Sequence, residues 1–202
     1  MKLRALEREL ERLRTITDPK VTLEQYRTPP SLAARLLFHA AMRGDIEGKR
    51  VCDLGCGAGI LACGAALLGA AQVRGVDIDP RSIMVARENA YQAGVDLEFV
   101  VADVGDDAAF EGYSCDTVVM NPPFGAQRRH ADRPFIDRAL GIGKVIYGIF
   151  NAGSLSFVRA YIRERGIIEE AVLGKFILPH IFAFHTREHT EIEVEILCLR
   201  KR

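Results

Sequence analysis

The sequence has no apolar run approaching the ~18 residues that a membrane-spanning helix needs, which argues against an integral membrane protein. It has no net charge, because 27 lysines and arginines balance 27 aspartates and glutamates. The totals therefore give no sign of a strongly basic nucleic-acid-binding surface, although a local patch is compatible with them. It has no C-x-x-C pair, and its five cysteines are an odd number. That combination speaks against a disulfide framework and against a zinc ribbon. The opening segment "MKLRALERELERLR" is too densely charged for a secretory signal. Internal repeats and low-complexity tracts are also missing. A reduced, cytoplasmic, water-soluble protein is expected.

What is present is enough apolar residue, 49% of 202, for a sizeable core in one domain. Leu3, Leu6, Leu10 and Leu13 recur at three- and four-residue spacing and predict an amphipathic helix, which packs on its own domain or, as the alternative, binds a partner. The segment "TDPKVTLEQYRTPP" reads as a loop, and Ser31 after Pro29 and Pro30 opens a second helix running to Gly44. Residues 1–45 are expected to form a helical extension over residues 46–202, the catalytic core of the same domain.

From Lys49 the rhythm becomes strand, turn, helix. "KRVCDL", "AQVRGVDI", "DLEFVVAD", "CDTVVM" and "KVIYGIF" read as strands, interleaved with helices at "ILACGAALLG", "PRSIMVARENAYQAG" and "LSFVRAYIRERG". Such alternation predicts an α/β fold with a mostly parallel sheet covered on both faces. "EAVLGKFIL" and "TEIEVEILCL" follow without a helix between them, so an antiparallel hairpin across "PHIFAFHTREH" is expected.

Three successive strand ends carry the first chemistry. After the first strand comes "DLGCGAGI", where Gly55, Gly57 and Gly59 allow a tight turn and close backbone approach to a ligand. The spacing is G-x-G-x-G, one residue short of the dinucleotide fingerprint. Asp77 lies about 20 residues on, at the end of the second strand, where a carboxylate accepts from both hydroxyls of a ribose. Asp79, before Pro80, suits a helix cap instead. Asp103 ends the third strand and suits an adenine amine. With Asp53, Ala58, Ile60, Ile78 and Val104 beside them, these residues describe an adenosine-binding crevice that has no need of a phosphate.

These motifs resemble the class I S-adenosylmethionine-dependent methyltransferases, whose fold is a Rossmann-like, seven-stranded sheet with an antiparallel last strand. "DLGCGAG" is similar to the family's first motif and "VDID" to its second, while "NPPF" resembles the [DNS]-P-P-[YFW] motif of amino-methyltransferases. More narrowly, "LEQYRTP", "DLGCGAGIL", "NPPFG" and "FHTREHTEIEVEI" resemble the ribosomal RNA adenine-N6 methyltransferases of the methyltransferase-like protein five group. The resemblance implies that Gln25 and Thr28 close over the cofactor, S-adenosylmethionine, and that His185 belongs with the RNA-contacting residues. It also implies a small zinc-containing activator subunit that adds a strand to the sheet's edge at the third strand. The apolar stretch Leu97–Val101, unguarded by proline or lysine, suits that docking.

The chemistry of "NPPF" follows from its residues. A conjugated amine is a poor nucleophile because its lone pair is delocalised. The side-chain oxygen of Asn121 and the carbonyl of Pro122 can each accept one of its hydrogens, favouring a tetrahedral nitrogen. Pro122 and Pro123 have fixed φ and no N–H, so the loop is stiff. Phe124 offers a face for a base. Adenine in structured RNA, adenine in DNA and a protein glutamine amide all carry such an amine. The chain has no room for a separate DNA-recognition domain, and the glutamine enzymes carry a longer helical region and end the motif in tyrosine. A scaffold without activity would not need Gly55, Asp77 and Asn121 together. Arg128, Arg129 and Arg133 follow the motif and suit phosphates, with Lys144 adding charge. His180, His185 and His189 are too irregularly spaced for a metal site, so none is expected. Cys52, Cys56 and Cys63 read as small packing residues.

Overall fold

A computed structural model describes residues 1–125, 130–179 and 189–202, in backbone only for 175–179 and 189–192. Arg128, Arg129, His180 and His185 lie outside the described residues.

The first strand, β1 (Arg50–Leu54), is central. The chain then steps outward through helix α3 (Ile60–Leu67), β2 (Gln72–Asp77), α4 (Pro80–Ala93) and the edge strand β3 (Glu98–Val101). It returns to the other side of β1 with β4 (Thr117–Met120), α5 (Arg133–Ile142), β5 (Val145–Asn151) and α6 (Ser154–Ile162). β6 (Gly166–Pro179) and β7 (His189–Lys201) close the sheet in the order β3-β2-β1-β4-β5-β7-β6. The first five strands are parallel, and β7 runs antiparallel to both its neighbours. This is the α/β arrangement that the alternating pattern predicts, with the expected final hairpin.

The pleat sorts side chains to two cores by alternation. Val51, Val119, Tyr147 and Ile149 face one side, where α1 (Leu3–Glu11), α2 (Pro30–Met42), α3 and α4 pack. Cys52, Leu54, Val118, Met120, Ile146 and Phe150 face the other, under α5 and α6. Both faces being covered, "TVVM" is buried at every position. The leucine stripe of α1 packs on α2 and α3 of its own domain, with Leu6 and Leu10 fully buried. A Cβ at Gly64 in α3 would run into the Leu37 side chain, so this glycine lets α2 pack closely. Among the described residues, no helix is long and apolar enough to cross a membrane.

Two readings need correction. The sequence pattern marked no helix between "CDTVVM" and "KVIYGIF", yet Arg133–Ile142 forms α5. Its signal was present: Pro134 in the first turn and apolar Phe135, Ile136, Ala139 and Leu140 at helical spacing. Lys144 does not add charge at the site. It lies at the amino end of β5, opposite the strand ends that carry the motifs, and pairs with Asp116 at 2.7 Å.

Candidate active site

In a parallel sheet every strand's carboxyl end points to one edge. The chain reverses its winding between β1 and β4, and a crevice opens at such a point. Leu54 is in register with both Val76 and Met120, so the residues after β1, β2 and β4 emerge side by side. A cavity of about 910 Å³ lies there. It is lined by Asp53, Gly55, Gly57, Ala58, Ile60, Asp77, Ile78, Asp103, Val104 and Asn121, which the sequence had scattered over 69 positions (53 to 121). Gln25 and Thr28 join them from the N-terminal segment.

The turn after β1 is glycine-rich for a conformational reason. Gly55, Gly57 and Gly59 have φ of 70°, 53° and 81°, the left-handed region that side chains disfavour. Gly59 also admits α4, since a Cβ there would lie 3.1 Å from that of Ala86. Asp77, only 9% exposed, accepts from the backbone N–H groups of Gly57 at 2.8 Å and Asp79 at 2.9 Å. It therefore tethers the glycine turn while leaving acceptor capacity on the cavity side. Burial raises its pKa. Asp79 caps α4 by accepting from Arg81 N at 3.2 Å, the separate role its position suggested. Asp103 is exposed and accepts from Gly105 N at 2.8 Å, while Val104 is buried and Ile78 is 49% exposed at the cavity wall.

Asp53 is 1% exposed. Its Oδ2 accepts from Ala62 N at 2.9 Å, but its Oδ1 is buried without a partner. Burial pushes this carboxyl up to about 8. An unpartnered buried carboxylate oxygen on a cavity wall fits a cationic donor such as an α-ammonium group. Together with the ribose-type acceptors at Asp77, the residues present fit an adenosyl amino acid.

The segment from Leu13 to Thr28 crosses the cavity as a strap. Asn89 of α4, fully buried, accepts from Arg14 N at 2.8 Å and donates to Arg14 O at 3.0 Å and Ala58 O at 2.8 Å. One amide thus joins strap, helix and glycine turn. Gln25 donates to Asp79 at 3.0 Å and Ser82 at 3.1 Å, so its amide pins the strap to the start of α4.

The loop after β4 is built on the strap. Asn121 Nδ2 donates to Thr28 Oγ1 at 2.9 Å, and Asn121 Oδ1 accepts from Tyr26 O–H at 3.2 Å. Burial holds the Tyr26 hydroxyl well above its ordinary pKa, so it stays a donor. The amide is fixed at both ends, and Oδ1 keeps a second lone pair. Pro122 is buried and Pro123 lines the cavity. Phe124 leans on Tyr26, with centroids 5.2 Å apart at 39°, and its carbonyl accepts from Asn151 Nδ2 at 3.3 Å. Arg133 sits on the cavity wall at the start of α5, beside His130 and Phe135. A Cβ at Gly55 would lie 2.8 Å from Phe135 Cε1, so that ring rests on the glycine turn.

Comparison with known proteins decides the family. Residues 32–141 match the family model described as the methyltransferase small domain. The chain belongs to that family. It is 30% identical over 203 residues to the rRNA N(6)-adenosine-methyltransferase METTL5 of Danio rerio, covering 98% of each chain. It is 34% identical over 202 residues to Mettl5 of Drosophila melanogaster, named for the same activity, covering 96% of this chain and 94% of that one. Among solved structures, a candidate RNA methyltransferase of Pyrococcus horikoshii superimposes with a TM-score of 0.91 at 38% identity, covering 100% of this chain and 98% of that one. The protein is therefore a methyltransferase, a family defined by use of a methyl donor.

Several residues in and around this cavity were assigned no role from the sequence. Asn89 reads as one more polar residue of an amphipathic helix. Phe135 and His130 fall beyond the motif, and Tyr26, although part of "LEQYRTP", gains a role only through its bond to Asn121. Among the described residues there is no cluster of side chains able to hold a metal. All five cysteines are buried and free, and burial pushes the Cys63 thiol up to about 12. Such thiols pack rather than react.

The Asp53 carboxyl gives a pH prediction. Its folded pKa is raised, so the ligand-free protein keeps a proton there below about 8. Any stability from that proton is present below the unfolded value and lost as pH rises towards the folded one. A bound ammonium reverses this by favouring the carboxylate, so binding releases the proton. S-adenosylmethionine affinity should thus rise from about pH 6 to about pH 7.5, by at most roughly tenfold per pH unit. Calorimetry in two buffers of different ionisation heat counts the proton. Asp53→Asn should flatten the profile, and a flat wild-type profile would remove the carboxylate from amine binding.

Proposed function

We propose that this chain transfers a methyl group from S-adenosylmethionine to the N6 amine of an adenosine in structured RNA, with ribosomal RNA as the substrate class. The observation that carries the reading is the Asn121 amide, held by Thr28 and Tyr26 where β4 ends beside the glycine turn. It is supported by the rRNA N(6)-adenosine-methyltransferase activity for which relatives aligned along nearly their whole length are named.

The cofactor supplies an electrophilic methyl group. Gly55–Gly59 gives it backbone contact, Asp77 takes the ribose hydroxyls, Asp103 the adenine amine, and Asp53 the ammonium. Ile78 and Val104 flank its ring. Asn121 Oδ1 and the Pro122 carbonyl accept the two hydrogens of the target amine, and tetrahedral nitrogen gains more from them than planar nitrogen does. Phe124 stacks the target base, and an adenosine must leave its helix to reach it. No titrating base is required, because the methylated ammonium product is itself a strong acid. Arg133 is set for a phosphate beside the target, as Arg128 and Arg129 are, and His185 stays among the RNA-contacting residues. A cytoplasmic location suits free thiols.

The same site fits a protein glutamine amide or a DNA adenine in its reacting atoms. Mass spectrometry of ribosomal RNA from cells lacking the protein separates them. Loss of one N6-methyladenosine is expected. Unchanged RNA with an unmethylated release-factor glutamine would overturn the choice.

We also propose that a small zinc-containing activator subunit adds a strand to β3. α1 packs elsewhere, on α2 and α3. Phe99 is buried, with its ring against Gly75 and near Gly59, and Leu97 is half-buried, so these residues belong to the core rather than to a docking face. The exposed apolar side chain of the strand is Val101, 49% accessible. A proline at Phe99 would damage the fold, so the discriminating variant is Val101→Lys, a charge of the kind that guards natural edges. It should keep cofactor affinity and lose co-purification of the subunit. A wild-type protein that is soluble, fully active and monomeric alone would sink the subunit.

A further inference from the structure

The rim of the cavity continues into a row of flat groups. His130 is exposed and lies in the left-handed region, with φ of 64°. Its ring is 6.4 Å from that of Phe157 at an interplanar angle of 26°. Phe157 and Tyr161, one turn apart on α6, lie 5.5 Å apart at 28°. The Arg133 guanidinium sits 5.4 Å from both of those ring centroids, covering the pair. The far end is fixed: Tyr161 O–H donates to Asp137 at 2.8 Å, and Arg165 pairs with the same carboxylate at 2.6 Å. Phe157 and Tyr161 pack beneath on the core.

The near end is not neutralised. Among the described residues, Arg133 pairs with no carboxylate, and its Nε is buried without a hydrogen-bond partner. Both Arg133 and His130 face the cavity. An arrangement serving only to pack α5 on α6 would match the cation with an acid, as Arg165 is matched, and would not need an exposed imidazole at its rim. A planar cation backed by two rings, next to an exposed imidazole, offers stacking faces with positive charge between them. Those are the groups on which unstacked bases of single-stranded RNA rest.

We propose that His130 and Arg133 form a shelf for the nucleotide adjoining the target adenosine, His130 stacking its base and Arg133 holding its phosphate. This rests on the RNA reading above. Drawing one adenosine into the cavity unstacks its neighbour, and the shelf begins where the cavity ends. Phe157 and Tyr161 are positioning residues that act through the two.

The test uses the full chain, with any subunit that co-purifies, and an RNA hairpin bearing one adenosine in its loop. Matched hairpins carry an abasic nucleotide on the 5′ or 3′ side of that adenosine. For the wild type, one abasic neighbour should raise KM for RNA roughly tenfold. His130→Ala should raise KM on the intact hairpin by a similar factor and respond no further to the abasic neighbour. His130→Tyr should restore the response, and Phe157→Leu should weaken it. S-adenosylmethionine affinity, measured by calorimetry, reports that each variant is folded. If His130→Ala stays within twofold on the intact hairpin, or its loss simply multiplies with those of both the 5′ and the 3′ abasic sites, the shelf is overturned while the RNA reading stands. A wild type that methylates none of these RNAs, nor ribosomal RNA itself, overturns the RNA reading and the shelf with it.

Discussion

Asn121→Ala is expected to cut turnover by about 10²–10³-fold, the cost of deleting one preorganised polar contact to a developing charge, while cofactor affinity stays within about twofold. The asymmetry follows from where the amide acts. Its free lone pair meets the amine, and the amine gains most from it when the nitrogen becomes tetrahedral. Removing the side chain also leaves Tyr26 O–H and Thr28 Oγ1, which now bond to it at 3.2 and 2.9 Å, without that partner. Loosening of the strap is therefore a competing explanation. Tyr26→Phe separates the two, because it deletes one pin and keeps Oδ1 in place. That variant should lose several-fold in kcat, far less than Asn121→Ala. If Asn121→Ala kept turnover within about threefold while Asp77→Ala abolished it, the amide would have no part in activating the amine.

Asp77→Ala should weaken S-adenosylmethionine binding by about 1–3 kcal/mol, the range for hydrogen bonds to a charged group. That is roughly five- to 150-fold in affinity. The structure makes the upper end the expectation. Asp77 is an acceptor for the ribose and also accepts from Gly57 N and Asp79 N, so alanine strips the glycine turn of its tether. The two contributions differ in their readout. Loss of the tether lowers the thermal stability of the ligand-free protein, whereas loss of the ribose contacts lowers only the gain on adding cofactor. Asp77→Asn keeps one acceptor oxygen and should fall between wild type and alanine on both. Calorimetry that finds unchanged affinity in Asp77→Ala would remove it from the ribose role.

The sequence by itself determined the α/β class, most of the strands and the residues at their ends. The reason is that each of these signals is local. Alternation, helical spacing and the Gly55-Gly57-Gly59 turn are written within a few residues, and a parallel sheet then gathers every strand's carboxyl end at one edge without further instruction. Asp53, Asp77, Asp103 and Asn121 could thus be assigned to one crevice before any contact was known. What only the tertiary structure decided are contacts between distant segments. Asn121 meets Tyr26 across 95 positions, and Arg14 meets Asn89 across 75. Neither pair has a sequence signature, because a buried amide bonded to remote backbone looks the same, in one dimension, as a solvated one. Gln25 shows the same limit: the resemblance pointed to it and it does line the cavity, but its bonds to Asp79 and Ser82 could not be read. In β3, alternation put Leu97, Phe99 and Val101 on one face, yet it could not say which of them the core would claim. That depended on Gly75 and Gly59, whose missing side chains leave the space that the Phe99 ring fills, while Val101 remains exposed at the edge.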